Sequence, residues 1–446
     1  MSSSVMPDSA VTTRSALDQA IAAAVHGDSE EALRHAGAIL EQDPARAVAV
    51  LVVGKCLGML GRQQAAVSAL RKAAKLGVFE GSLARAMAAV IELAKLGADT
   101  SEIRSELARV FARGSKRLLS KGATPPALVR QRLSGVPLPR ELKGDELIDY
   151  AIKLVSTQDG LEQADDSRQL PRQMLFSAMD EDSLLRTLGV LDLVWVDAGT
   201  PLVEQATAGQ AAYVVARGEV EVARMNESEQ QTVLARLGSG AIFGEMALLS
   251  RATRAASVFA SRPSLILVAR KSDLDTVVEA KPEVGAVLAD YCRRRMMDNL
   301  VRTSRILGAL KASDRPILMQ QFVTRTFEQG ERIIRQGCEA EGLHLIASGE
   351  VAVIRKDGTE RTILANLHVG EVVGEVSLVL RRPSIASVIA TAPTVTLHLP
   401  RDHFMGIVHR YPEILSHLYE LAVERDTMTT SIVAQEATEA ADYVLL

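Results

Sequence analysis

The chain has 446 residues, of which 47% are apolar and 24% charged, and a formal net charge of −4. That length exceeds one ordinary domain, and the composition is that of a globular protein with ample core. The near-neutral balance excludes a chain drawn by overall charge to nucleic acid or an anionic membrane, and the scattered cysteines Cys56, Cys292 and Cys338 form no metal spacing or disulfide framework.

The opening "MSSSVMPDSAVTTRS" lacks the basic and apolar regions of a signal peptide. The longest apolar stretch, Ala45 to Leu60, is interrupted by Gly54 and Lys55 and is too short for a membrane span. A cytoplasmic location is therefore expected, with no membrane and no nucleic-acid partner.

Residues 1–120 are alanine-rich and repeat themselves. "AIAAAVHGDSEEALRHAGAILEQDP" superposes on "VLVVGKCLGMLGRQQAAVSALRKAAKLG", so that Ala20 meets Gly54, Gly27 meets Gly61, Ala32 meets Ala66 and Ala36 meets Leu70. Small residues at these places let antiparallel helices approach closely, and the two glycines fall at the turns between them. A third unit, "LARAMAAVIELAKLGADTSEIRSELARVFARG", is helical but matches less well. The offset of about 34 residues and the small-residue positions resemble the tetratricopeptide repeat, although its consensus tryptophan and tyrosine are missing. The resemblance implies a groove for a partner protein; an unrelated helical bundle is the alternative.

Residues 121–169 are expected to be a linker with a helical segment. Lys121 to Glu146 holds four prolines and three glycines, which break any long helix, and a polar helical stretch follows from Leu147 to Ser167.

From Leu170 the pattern turns to short β-rich runs such as "LDLVWVDAG", "AAYVVARGEVEVARM" and "LILVAR". These recur about 130 residues later, at the scale of a duplicated domain rather than a short repeat. "AYVVARGEVEVAR" aligns with "LHLIASGEVAVIR", "LGSGAIFGEMALL" with "LHVGEVVGEVSLV", and "KPEVGAVLADYCRRR" with "YPEILSHLYELAVER". Gly199, Gly218, Gly240 and Gly244 match Gly330, Gly349, Gly370 and Gly374, as tight turns of a small rolled barrel require. Each copy ends in an amphipathic helix, Lys281 to Leu300 and Tyr411 to Met428. The expected fold is multidomain α+β: the helical repeat, then jelly-roll β-barrels with flanking helices at 170–304 and 305–430, and a tail at 431–446. Trp195 is assigned to the packing of the first barrel.

"FGEMALLSRATRAAS", Phe243 to Ser257, carries the chemistry. Gly244 allows a close backbone approach, and Glu245 to Leu249 can form one turn whose exposed amides favour an anion. Met246, Leu248 and Leu249 anchor that turn. Arg254 can fork onto a phosphate while Glu245 accepts from a sugar hydroxyl, and Ala255 and Ala256 leave space beside the guanidinium.

"GEMAL" and "RAAS" resemble, without a gap, the phosphate-binding cassette of cyclic nucleotide-binding domains, as in cAMP receptor proteins and regulatory subunits of cAMP-dependent protein kinase. The resemblance covers roughly residues 170–430. It implies that Glu245 receives the ribose 2′-hydroxyl, that Arg254 clamps the cyclic phosphate, and that amides near Met246, Ala247 and Ala255 complete the site, with Gly244 and Ala256 alongside. Family members with threonine directly after the arginine favour cGMP. Ala255 stands there, so cAMP is the expected ligand and cGMP the alternative; no metal is implied. Tyr291, on the helix after the first copy, is the candidate lid over the base.

In the second copy Glu375 matches Glu245, but Ser384 stands in place of Arg254. Gly374, Glu375, Arg382 and Ser384 therefore mark a weaker second site or a structural copy, because Pro383 restricts how "RRPS" can bring Arg381 or Arg382 inward. The basic run in "YCRRRMMDNLVRTSR" reads as a solvated or interdomain face rather than a nucleic-acid contact. His398, His403, His409 and His417 do not share one helix face, so no metal site is expected. About twenty residues follow Met428, too few for the helix-turn-helix domain of the receptor-type transcription factors, and no kinase, P-loop or hydrolase motif is seen. The expectation is a cyclic-nucleotide-sensing regulatory or adaptor protein, not an enzyme, that binds a protein partner through its helical repeat. Alternatives are a scaffold with ligand-free barrels and an inhibitory regulatory subunit of a kinase-like enzyme; the basic pseudosubstrate pattern Arg-Arg-x-Ala does not occur before the first barrel.

Overall fold

The computed structural model describes residues 13–120, 137–156, 168–205, 207–225, 231–248, 254, 256–304, 314, 318 and 320–444. They fall into two compact units. The first carries the N-terminal helices and the main body of the first β domain, up to Tyr291; the second carries the β domain that follows Cys292.

The N-terminal region forms three consecutive helix pairs: α1 (Thr13–Val25) with α2 (Ser29–Gln42), α3 (Ala47–Met59) with α4 (Gln63–Phe79), and α5 (Leu83–Lys95) with α6 (Ser101–Phe111). Asp28 caps α2 by accepting from Glu31 N at 3.0 Å, and Ser82 caps α5 by accepting from Arg85 N at 3.3 Å. Gly27 and Gly61 turn the chain at φ of +79° and +75°, as the repeat alignment requires. Between α4 and α5 a Cβ on Gly77 would lie 2.6 Å from Ala86 N, so only glycine allows these helices to touch.

A seventh helix, α7 (Gly144–Ser156), starts at the end of the Pro/Gly-rich region, covers the first part of the helical stretch expected from Leu147, and packs back onto the helical pairs. Tyr150 occupies the space where a Cβ on Gly37 would stand, Gly144 N donates to Glu30 Oε1 at 3.3 Å, and Lys72 donates to Val155 O. In its described part, then, this segment is a component of the helical domain rather than a bare tether. The remainder of the expected linker, residues 121–136, and the end of the Leu147–Ser167 stretch lie outside the described residues.

The helix α8 (Glu181–Gly189) leads into the first β domain: β1 (Leu191–Val196), β2 (Pro201–Val203), β3 (Ala211–Arg217), β4 (Glu219–Met225), β5 (Gln231–Gly238), β6 (Ile242–Phe243), β7 (Ser257–Ala260) and β8 (Ser264–Arg270). These pair antiparallel as two four-stranded sheets, β1-β8-β3-β6 and β2-β7-β4-β5. Val203, Val215, Val220, Phe243, Val258 and Ile266 fill the space between the sheets. The helices α9 (Lys271–Ala280) and α10 (Pro282–Thr303) follow.

The second domain repeats this topology with β9 (Val323–Phe327), β10 (Arg332–Ile334), β11 (Gly342–Ser348), β12 (Val351–Asp357), β13 (Glu360–Leu367), β14 (Val372–Val373), β15 (Ser387–Ala390) and β16 (Thr394–Pro400). Its sheets run β9-β16-β11-β14 and β10-β15-β12-β13. A short helix, α11 (Glu375–Leu380), replaces the 3-10 turn Glu245–Leu248 of the first domain, and α12 (Arg401–Arg410) and α13 (Pro412–Val444) close the domain. The expected barrels are jelly-roll-like sandwiches whose sheets do not close. α13 also runs well beyond the expected end at Met428, so the segment read as a tail continues the helix to Val444. Among the described residues no helix is long and apolar enough to cross a membrane, and no group of His, Cys, Asp and Glu could hold a metal ion.

Within the first unit the helices are fastened to the first sandwich by buried charge. Asp18 of α1 forms an ion pair with Arg217 of β3 and accepts a hydrogen bond from Arg262 in the turn before β8. Glu92 of α5, only 6% exposed, accepts from Trp195 Nε1 at 2.9 Å and from Lys95 at 3.2 Å, with Lys55 at 3.6 Å. Lys55 also stands 4.9 Å from the centre of the Trp195 ring. Trp195 therefore joins the sandwich to the helices, a correction to its assignment to sandwich packing alone.

In the second sandwich His344 and His398 face each other across β11 and β16, with ring centroids 4.4 Å apart and His344 Nδ1 3.0 Å from Thr396 Oγ1. His398 thus belongs to a strand pair and not to a group with His403, His409 and His417. Burial, then His398 and Arg325, hold His344 down to about 3; burial and Arg325 lower His398. An unfolded histidine titrates near 6.5, so acid favours the unfolded chain. Stability is complete above that value and drains as pH falls below it, for His344 from about 6.5 toward 3 by up to about 1.4 kcal/mol per pH unit, with His398 adding in the same direction. Melting of the second domain should drop steadily between pH 7 and 5, with a shallower slope in His344→Gln. A melting temperature constant over that range would contradict this.

Candidate functional site

The first cassette begins where β6 ends. Phe243 pairs with Tyr213 of β3, and their rings stack with centroids 5.0 Å apart, fixing the strand just before the turn. Gly244, at φ +72°, then bends the chain into the Glu245–Leu248 turn. Only glycine adopts this conformation without strain, which explains its place in the motif. Glu245 is 5% exposed and Met246 half-buried; Ala247 lies in the turn. A carboxylate is not placed in such burial for solubility, because its desolvation demands polar partners.

Arg254 is half-buried, and its backbone N–H donates to Thr207 O at 2.8 Å. Ala256 is half-buried immediately before β7, while Ala255 lies outside the described residues. At the same edge Gln205 N donates to Ser257 Oγ at 3.0 Å, tying the end of β2 to the start of β7. Tyr291 is 6% exposed on α10, a packed position.

The second cassette is built alike and charged differently. Gly374, at φ +92°, starts α11, and a Cβ there would stand 2.7 Å from Gly342 O. Glu375 follows, 2% exposed, and accepts from Arg425 Nη1 of α13 at 2.6 Å. Arg425 also donates to Val372 O at 2.6 Å and to Glu371 Oε1 at 3.4 Å. Burial raises the Glu375 carboxyl above the usual carboxylate range, against the pull of Arg425.

Neither arginine of "RRPS" replaces the missing clamp. Arg381 takes a left-handed conformation, φ +52°, that ends α11, and it borders a different groove with Phe404, Met405 and Tyr419. Arg382 pairs with Asp426 of α13. The loop is pinned by Ser377 Oγ donating to Arg382 O at 2.6 Å, and by Ser384 exchanging backbone bonds with Gly337 and Cys338 at 2.8 Å. Gly374, Glu375 and Ser384 border a cavity of about 550 Å³ beneath α13, and Arg382 is not among its lining residues.

Arg425, which borders this cavity, is not legible as a site residue from the cassette motif. A signal existed in the repeat, since Arg425 ends "YELAVER" where Arg295 ends "DYCRRR" in the first copy.

Residues 193–281 and 324–411 match the family model of the cyclic nucleotide-binding domain. The chain thus carries two such domains in tandem, preceded by a helical region. The cAMP-dependent protein kinase regulatory subunit from Yarrowia lipolytica is 29% identical over 255 residues, 57% of this chain and 63% of that protein. The type II regulatory subunit from Drosophila melanogaster is 28% identical over 224 residues, 50% of this chain and 56% of that protein. The chain therefore matches less than two thirds of the length of either relative. Among solved structures, the regulatory domain of Toxoplasma gondii PKA with cAMP is 24% identical, with a TM-score of 0.28, covering 56% of this chain and 92% of that one.

Proposed function

We propose that the chain is a cAMP-responsive regulatory protein that senses nucleotide through its first β domain. The observation that carries this reading is the complete first cassette: a left-handed Gly244, a buried Glu245 and a retained Arg254. In this reading Glu245 accepts from the ribose 2′-hydroxyl, Arg254 forks onto the cyclic phosphate, and the amides of Met246, Ala247 and Ala255 complete the phosphate contacts. Gly244 and Ala256 keep room for the close approach. Ala255 in the position after the clamp favours cAMP over cGMP, and Tyr291 is the lid over the base.

Nucleotide acts by population shift: it binds one arrangement of cassette and α10 better than the other, and the difference in affinity sets how far the equilibrium moves. The N-terminal helices present the surface for a protein partner. The similarity to kinase regulatory subunits supports a kinase-like catalytic chain as that partner, which raises this reading above a ligand-free scaffold. Calorimetric titration of the full chain with cAMP should give one tight site; no heat of binding at high micromolar cAMP would leave the scaffold reading in its place.

A further inference from the structure

The second cavity keeps the size of a ligand site and lacks the charge for a nucleotide. Its volume of about 550 Å³ falls within the range of small-molecule pockets. Ile334, Val353, Leu367 and Val388 of the sandwich form one side, and Leu421 and Met428 of α13 cover it. The charged groups at its wall are three carboxylates, Glu371, Glu375 and Glu424, and one guanidinium, Arg425. That guanidinium already serves Glu375, Glu371 and Val372 O. An entering phosphate would meet an excess of negative charge and would have to break an existing buried pair to find a cation.

Ser384 supplies the second observation. It holds the place matched to Arg254, is 9% exposed, and its Oγ is buried with no hydrogen-bond partner. Buried hydroxyls are normally satisfied, and an orphan one destabilises a fold unless a bound group meets it. The apolar wall, the carboxylate excess and the orphan hydroxyl agree on one kind of occupant.

We propose that the second cavity binds an uncharged, mainly apolar small molecule, with hydroxyl or aromatic amino groups that hydrogen-bond to Ser384 and Glu375, and that it excludes cyclic nucleotides. The site is then a second input, chemically distinct from the first, read by the α13 residues that close it. The claim rests on the second domain alone and stands or falls apart from the cAMP reading of the first.

The test uses the full chain with Arg254→Ala, which silences the first cassette. It is titrated with adenosine and with cAMP, which share base and sugar but differ in the anionic phosphate, and with the neutral dye N-phenyl-1-naphthylamine. Adenosine should bind and displace the dye, with cAMP at least about tenfold weaker. Ser384→Ala should weaken adenosine several-fold while leaving the dye bound, and Ile385→Trp, which fills the cavity, should abolish both. Should Ile385→Trp fail to fold, Ser384→Ala removes a single buried oxygen and carries the test. Binding of cAMP as tight as that of adenosine would overturn the proposal, as would the failure of both neutral probes at millimolar concentration. If the cAMP reading alone is wrong, the parent chain fails to bind cAMP while adenosine still binds.

Discussion

Arg254→Ala is expected to weaken cAMP binding to the full chain by a factor of about thirty to several thousand. The estimate follows from the cost of truncating one partner of a desolvated, hydrogen-bonded charge pair, about 2–5 kcal/mol. In the proposed binding mode the loss is large, because a phosphate held away from water would keep its charge while losing two parallel bonds from the guanidinium. Arg254→Lys should fall between parent and alanine, since an ammonium restores the charge without the planar fork. Arg382→Ala is the matched control. Its side chain is committed to Asp426, so cAMP affinity should change less than about twofold, a difference far below the cost of losing a buried charge partner. Calorimetry on the three variants decides between a phosphate clamp and a structural arginine; unchanged affinity in Arg254→Ala would place the phosphate elsewhere.

The second large effect is on stability. Asp18→Ala should destabilise the first unit by about 3–5 kcal/mol, the usual cost of leaving buried charge without its partner. Asp18 serves two guanidinia at once, Arg217 and Arg262, whose side chains are 9% and 14% exposed. Arg217 also donates to Pro263 O at 2.9 Å, a neutral carbonyl that does not balance its charge when the carboxylate is removed. By contrast, Arg270 and Asp192 form an ion pair at 3.1 Å with side chains 54% and 38% exposed, and breaking it should cost less than about 1 kcal/mol. Denaturant unfolding followed by Trp195 fluorescence reads this directly, because Trp195 sits at the same junction of helices and sandwich. Equal shifts in Asp18→Ala and Arg270→Ala would contradict the account.

The duplication was legible because each copy needs the same glycines at the same turns. Gly218 and Gly349, for example, take φ of +108° and +86°, and in each a Cβ would collide with the start of the last strand of its sandwich, at Ser264 and at Thr394. The helical pairs were legible for a similar reason, through Gly27, Gly61 and the close-packed alanines. The cassette could be read because its chemistry lies in one continuous stretch. The contacts of Asp18, Glu92 and Trp195 could not, since ion pairs between distant segments leave no period in the chain. Arg425 escaped for the same reason: its partner Glu375 lies fifty residues away by sequence number and is brought near only when α13 folds over the sandwich. The fate of "RRPS" likewise depended on a conformation, the left-handed Arg381, that no local rule assigns to arginine.

These differences between the copies bear on one quantity, the number of cyclic nucleotides a chain can hold. Both domains keep the glycine and the buried carboxylate, but Arg254 has its counterpart in Ser384, and the cation nearest Glu375 is already spent on it. The most direct measurement is calorimetric titration of the full, unmodified chain with cAMP, read for stoichiometry. The account predicts one cAMP per chain, lost in Arg254→Ala; two equivalent sites, or one that survives Arg254→Ala, would contradict it.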